Sequence, residues 1–92
     1  MDIYTQAAEK IINEQRIIIG PIAIEQAREV HGIELDDQNH VIDVKGDKTK
    51  ILDQLVAQYR KLFGQTSVEV CKEAASALFA QLPVDQIPSL LR

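Results

Sequence analysis

Few side chains in this 92-residue sequence are of the types that do chemistry. The only thiol is Cys71, and the only imidazoles are His31 and His40. A nucleophilic cysteine needs a neighbouring base and an electropositive setting that lowers its pKa. Cys71 instead falls on the apolar stripe of a helical segment, where a lone cysteine packs as a small hydrophobe. His31 follows a helical segment, and His40 lies in a run of turn formers. Neither has a Cys, His or carboxylate partner at zinc-ligand spacing. The acidic stretch at Asp36 and Asp37 invites comparison with a calcium loop. Counting from Asp36, however, puts Val41 where that loop requires Gly and Asp47 where it requires Glu. The segment reads instead as an acidic hairpin turn. Gly20, Gly32, Gly46 and Gly64 are spaced as breakers, so no phosphate-cradling loop is formed. No acidic pair is placed for glycoside hydrolysis. The sequence predicts no catalytic residue, no metal and no cofactor, and so no enzyme.

Charge narrows the partners. Ten Lys and Arg stand against 14 Asp and Glu, for a net charge of −4. Residues 1–46 hold nine acids and four bases (−5), and residues 47–92 hold six bases and five acids (+1). Lys45, Lys48 and Lys50 are the one basic concentration, and they sit at a junction between elements as a solvated helix start. Nucleic-acid binders usually present a continuous basic face, so nucleic acid is disfavoured as a partner. With 46% apolar residues the chain belongs in the globular range rather than the disordered one. Its length predicts a single domain over 1–92. The longest apolar run, Ile17-Ile18-Ile19, is far short of a membrane span, which needs about 20 residues. Neither Met1-Asp2 nor Leu90-Leu91-Arg92 carries a secretion or lipidation signal. These features lead us to expect a cytoplasmic protein with Cys71 reduced.

The elements that position these residues are punctuated by glycine. Apolar Ala7, Ala8, Ile11, Ile12, Ile18 and Ile19 recur at helical spacing between Thr5 and Ile19, with Asp2 or Thr5 as the cap. Gly20 ends that helix, and Pro21 opens a second over Ile22 to Val30. Beyond Gly32 the period changes from helical to alternating. Ile33 and Leu35, then Ile42 and Val44, predict the inward positions of a β-hairpin over 33–45, with a five-residue loop at 36–40. Residues 48–63 form the clearest amphipathic helix, with Ile51, Leu52, Leu55, Val56, Tyr59, Leu62 and Phe63 in one stripe. After Gly64, Thr66 and Glu69 have capping-box spacing for a helix that runs to Leu82, where Pro83 stops it. The tail over 84–92 has enough apolar residues for one or two helical turns.

A shift of 44 residues places 5–30 over 49–74. Thr5, Arg16, Gly20, Glu25 and Glu29 then meet identical residues, and Ala27 meets Cys71. The predicted class is therefore α+β and mostly helical. Its order is α-α-β-β-α-α, with two similar helix-Gly-helix units (5–30 and 48–82) around a hairpin. The likeness reads either as an internal duplication or as two amphipathic helix pairs that each flank a glycine. The expected role is a non-catalytic protein–protein interaction or homodimerisation module. The candidate surfaces are the hairpin (Leu35, Ile42, Val44) and the tail (Ile87, Leu90, Leu91). Two alternatives are a helix-turn-helix-like nucleic-acid binder, opposed by Glu69 and Glu73 on the would-be reading helix, and a small ligand-binding or enzyme accessory domain.

Overall fold

The first helix begins two residues earlier than its apolar pattern suggests, because Asp2 is its cap. The computed structural model describes residues 2–92, and in it the Asp2 carboxylate accepts the Thr5 N–H at 2.9 Å. A hydrogen-bonded Lys48 ammonium at 2.8 Å is the main reason that the Asp2 carboxyl is held down to about 2. From this cap α1 runs over Ile3–Ile19, and α2 follows over Ile22–Arg28. Strands β1 (Ile33–Leu35) and β2 (Val41–Val44) form the antiparallel hairpin. Helix α3 (Lys48–Phe63) is capped by Asp47, and α4 spans Gln65–Phe79. Two 3-10 turns, Val84–Gln86 and Ser89–Leu91, complete the tail. The class is α+β, mostly helical, as the periodicity implies.

The two helical units pack crosswise. Each first helix lies against the second helix of the other unit, α1 on α4 and α3 on α2, as well as against its own partner. One contiguous core results, with Ala8, Ile11, Ile12, Leu52, Leu55, Val56 and Tyr59 fully buried at its centre. Burying each larger aliphatic side chain there contributes roughly 1.5–3 kcal/mol. The hairpin lies on α1 through β2 and on α2 through β1, and the last 3-10 turn lies on α3 and α4.

Three local expectations are corrected. The Thr66–Glu69 capping box does not form; α4 starts at Gln65, directly after Gly64, so no loop residue is left to cap it. Glu69 instead accepts from the Gln65 amide at 3.3 Å. Helix α4 also stops at Phe79 rather than Leu82, consistent with the steric bias against helix before Pro83. In β2 the alternation slips. Leu35 pairs with Val41 while Glu34 pairs with Asp43, so Ile42 is the extra residue of a bulge. Val41 and Val44 point inward and Ile42 points out.

Both units turn at the same kind of elbow. Gly20 has φ 74° and ψ −153°, and Gly64 has φ 79° and ψ −166°, a region essentially closed to other residues. Each glycine N–H closes its helix on the carbonyl four residues back, Arg16 or Arg60. A Cβ at either glycine would meet nothing within 4 Å, so the penalty for substitution is backbone strain alone. Gly20→Ala and Gly64→Ala are each expected to cost roughly 1–3 kcal/mol in urea unfolding with little change in m. A loss within experimental error at both positions would show that the elbows tolerate a side chain.

Candidate functional site

Two polar side chains reach through the core, and they do so reciprocally. The Gln15 amide on α1 donates to the Ser67 carbonyl on α4 at 3.1 Å, and also lies 3.3 Å from the Cys71 sulfur. The Tyr59 hydroxyl on α3 donates to the Ala23 carbonyl on α2 at 2.7 Å. Position 59 is 15 shifted by 44, and 67 is 23 shifted by 44. The two bonds are therefore the same contact made twice, once in each direction between the units. Burial raises the Tyr59 phenol well above its usual range. It also pushes the Cys71 thiol up to about 11, against a smaller opposing pull from the Gln15 amide. Cys71 is completely buried, so it packs as a thiol at neutral pH.

A second likeness links the units. Glu9 on α1 and Asp53 on α3, again 44 apart, each hold the segment that follows their own unit. The Glu9 carboxylate accepts the Val41 N–H at 3.2 Å and meets His40 Nδ1 at 3.0 Å. The Asp53 carboxylate accepts the Ser89 N–H at 3.0 Å, the Ser89 hydroxyl at 2.8 Å and the Leu90 N–H at 2.8 Å. His40 thus serves as a clasp for the hairpin. His31 is exposed beside Lys61 in a shallow surface cleft. Asp36 turns the acidic loop by accepting the Gln38 and His40 N–H groups, each at 2.9 Å, which keeps its carboxyl below the usual range. Lys45 pairs with Glu34 at 3.2 Å, and Lys48 with Asp2. No cluster of His, Cys, Asp or Glu suited to a metal occurs among the described residues. None of their helices is long and apolar enough to cross a membrane.

The residues expected to form a binding surface are divided by the fold. Val44 and Leu91 are buried, which removes them from any exposed surface of this chain. Val44 turns inward because the bulge resets the strand, and Leu91 because Asp53 draws the last turn onto α3 and α4. Leu35, Ile87 and Leu90 are half-buried against the core. Ile42 alone among the six is well exposed.

The principal exposed apolar surface lies elsewhere, at the elbow end. The stripes of α1 and α3 continue past the region that the core covers. Ile17 is 77% exposed, Ile18 59%, Leu62 45% and Phe63 42%. Ile18, Ile19, Phe63 and Val70 line one cleft of about 120 Å³ whose floor includes Gln15 and Ser67. Ile18 and Val70 continue into a neighbouring cleft edged by Glu14 and Glu73. The uninterrupted Ile17-Ile18-Ile19 run before a Gly is the sequence signal for this face, since three consecutive residues cannot all turn to one side of a helix.

Comparison with models of known protein families, with curated proteins and with solved structures finds no match.

Two outcomes test the core assignments. Tyr59→Phe keeps the ring and removes one buried hydrogen bond, so a loss of about 1 kcal/mol in urea unfolding is expected; unchanged stability would show that the bond contributes nothing. Cys71 is expected to resist a soluble thiol reagent at pH 8 in the folded protein and to react fully in urea. Rapid labelling in native buffer would overturn its assignment as a packed core residue.

Proposed function

We propose that this chain is a non-catalytic protein–protein interaction module of the cytoplasm that binds through its elbow face. The observation that carries this reading is the exposure of Ile17, Ile18, Leu62 and Phe63 at one end of two adjacent helices. An exposed apolar cleft stays in water at a cost and marks an association site. Scattered single hydrophobes do not have that meaning, but Ile18 and Phe63 share the walls of one cleft.

Other features fit this role better than the alternatives. The only thiol is packed in the core, and a free cysteine is at home in a reducing compartment. Helix α4, the would-be reading helix of a nucleic-acid binder, exposes Glu69 and Glu73, and its one base, Lys72, lies 3.9 Å from Glu69. Two acids facing a phosphate backbone oppose binding.

The test is cross-linking of the tagged chain in native cell extract, set beside an Ile18→Asp/Phe63→Asp variant whose circular dichroism and melting match the wild type. The reading expects the wild type to retain a partner, either another protein or itself, that the variant loses. Identical cross-linked products from both proteins would remove the elbow face from consideration and the reading with it.

A further inference from the structure

We infer that the cleft between the Gly20 elbow and the hairpin loop binds a small organic carboxylate with an apolar body, held by the guanidinium groups of Arg16 and Arg28. None of its lining residues is shared with the cleft between Ile18 and Phe63, so the site goes beyond the interaction reading and does not depend on it.

Three elements converge on this cleft. Arg16 comes from the last turn of α1, Ile24 and Arg28 from α2, and Asn39 from the hairpin loop. They enclose about 430 Å³, a volume in the range of small-molecule sites. Buried Ile24 and the Pro21 ring supply an apolar wall. The loop aims Arg28, whose guanidinium donates to the Asn39 side-chain carbonyl. Asn39 stands at φ 66°, a left-handed conformation that asparagine tolerates. Its N–H donates to the Asp36 carbonyl at 3.0 Å, which fixes the turn that presents it.

The second unit serves as an internal comparison. Glu25 and Arg28 correspond to Glu69 and Lys72, and there the base lies 3.9 Å from the acid. In the first unit Arg28 turns instead to the hairpin loop, for which the second unit has no counterpart. Neither Arg16 nor Arg28 makes an ion pair among the described residues, although Glu25 lines the same cleft. Two bases against one acid leave the cleft with one positive charge in excess. That balance suits a single carboxylate, which a guanidinium fork holds through two parallel hydrogen bonds. Guanidinium planes also stack on aromatic faces, and Ile24 and Pro21 gain by covering an apolar body. An inorganic anion would use the charge and leave that wall in water. A neutral apolar molecule would cover the wall and leave the guanidinium groups without a counter-ion.

Titration of the full isotope-labelled chain with naphthoate, followed by backbone amide chemical shifts, tests the site. Naphthalene methanol (the same rings without the charge), acetate and inorganic phosphate serve as comparison ligands. The expected result is saturable binding of naphthoate with a Kd of roughly 1 mM and the largest shifts at Gly20, Ile24 and Asn39. Each comparison ligand is expected to bind at least about fivefold more weakly. Arg16 and Arg28 are exposed, and the amide spectra themselves report whether the variants fold. Arg16→Gln and Arg28→Gln are each expected to weaken naphthoate by roughly fivefold. Asn39→Gly keeps the positive φ, releases Arg28, and is expected to weaken it by about threefold. Shifts that gather at Ile18, Phe63 and Val70 instead, or equal binding by wild type and Arg28→Gln, overturn the inference. Phosphate or naphthalene methanol binding as tightly as naphthoate overturns the ligand class and the inference with it.

Discussion

The arrangement of this protein depends on two polar side-chain tips that must find acceptors inside an aliphatic core. Gln15 and Tyr59 each cross from the first helix of one unit to a backbone carbonyl on the second helix of the other. A buried donor left without an acceptor costs about 1–3 kcal/mol. Sliding either helix by one residue would strand one of these donors and misplace the stripe around it. The crossing bonds thus select one register for a core of Ile, Leu, Val and Ala that would otherwise pack acceptably in several. Equal unit geometry follows from this constraint. Both first helices must end the same distance beyond the crossing residue, and both do, at a glycine five residues on.

The remaining parts are built around that frame. Glu9 and Asp53 occupy matching places on the first helices and tie down two unrelated segments, a hairpin and a tail. The hydroxyl of Tyr4 fastens the tail again at Gln86 O, 2.7 Å away. These attachments lie along the first half of α1 and α3, so both additions cover that half. The hairpin loop reaches the Gly20 elbow only on the side away from Ile18, where Asn39 shares a cleft with Arg16 and Pro21, and neither addition lines the cleft between Ile18 and Phe63. The apolar cleft between Ile18 and Phe63 is what these covers leave open.

Much of the fold was legible in the sequence, because helical periodicity and glycine placement are local signals. Gly20 and Gly64 marked the elbows, the stripes marked the inward faces, and the alignment of Cys71 with Ala27 already indicated packing. The hairpin loop at 36–40 was legible from its turn formers. Less legible was anything set by tertiary contact. The bulge that exposes Ile42 depends on pairing with β1, and the burial of Leu91 depends on an acid 38 residues away. The elbow face was hidden for a different reason. Ile18, Leu62 and Phe63 fit the periodic stripe that marks the inward face, but a stripe does not state where its cover ends. The capping box at Thr66 failed in the same way, since its pattern was complete and the chain simply left no loop for it to close.

The crosswise packing has a consequence for how the protein is made. Residues 52 positions apart meet in the Gln15–Ser67 bond, and α1 finds its main partner in α4. During synthesis the first unit therefore leaves the ribosome with its inner stripe uncovered, and it stays so until the second unit has been translated. In that interval it is an amphipathic helical hairpin, shaped to receive a unit very like itself. On a crowded polysome the nearest such unit belongs to a neighbouring nascent chain. The hairpin between the units acts as a short tether that raises the local concentration of the correct second unit above that of its competitors.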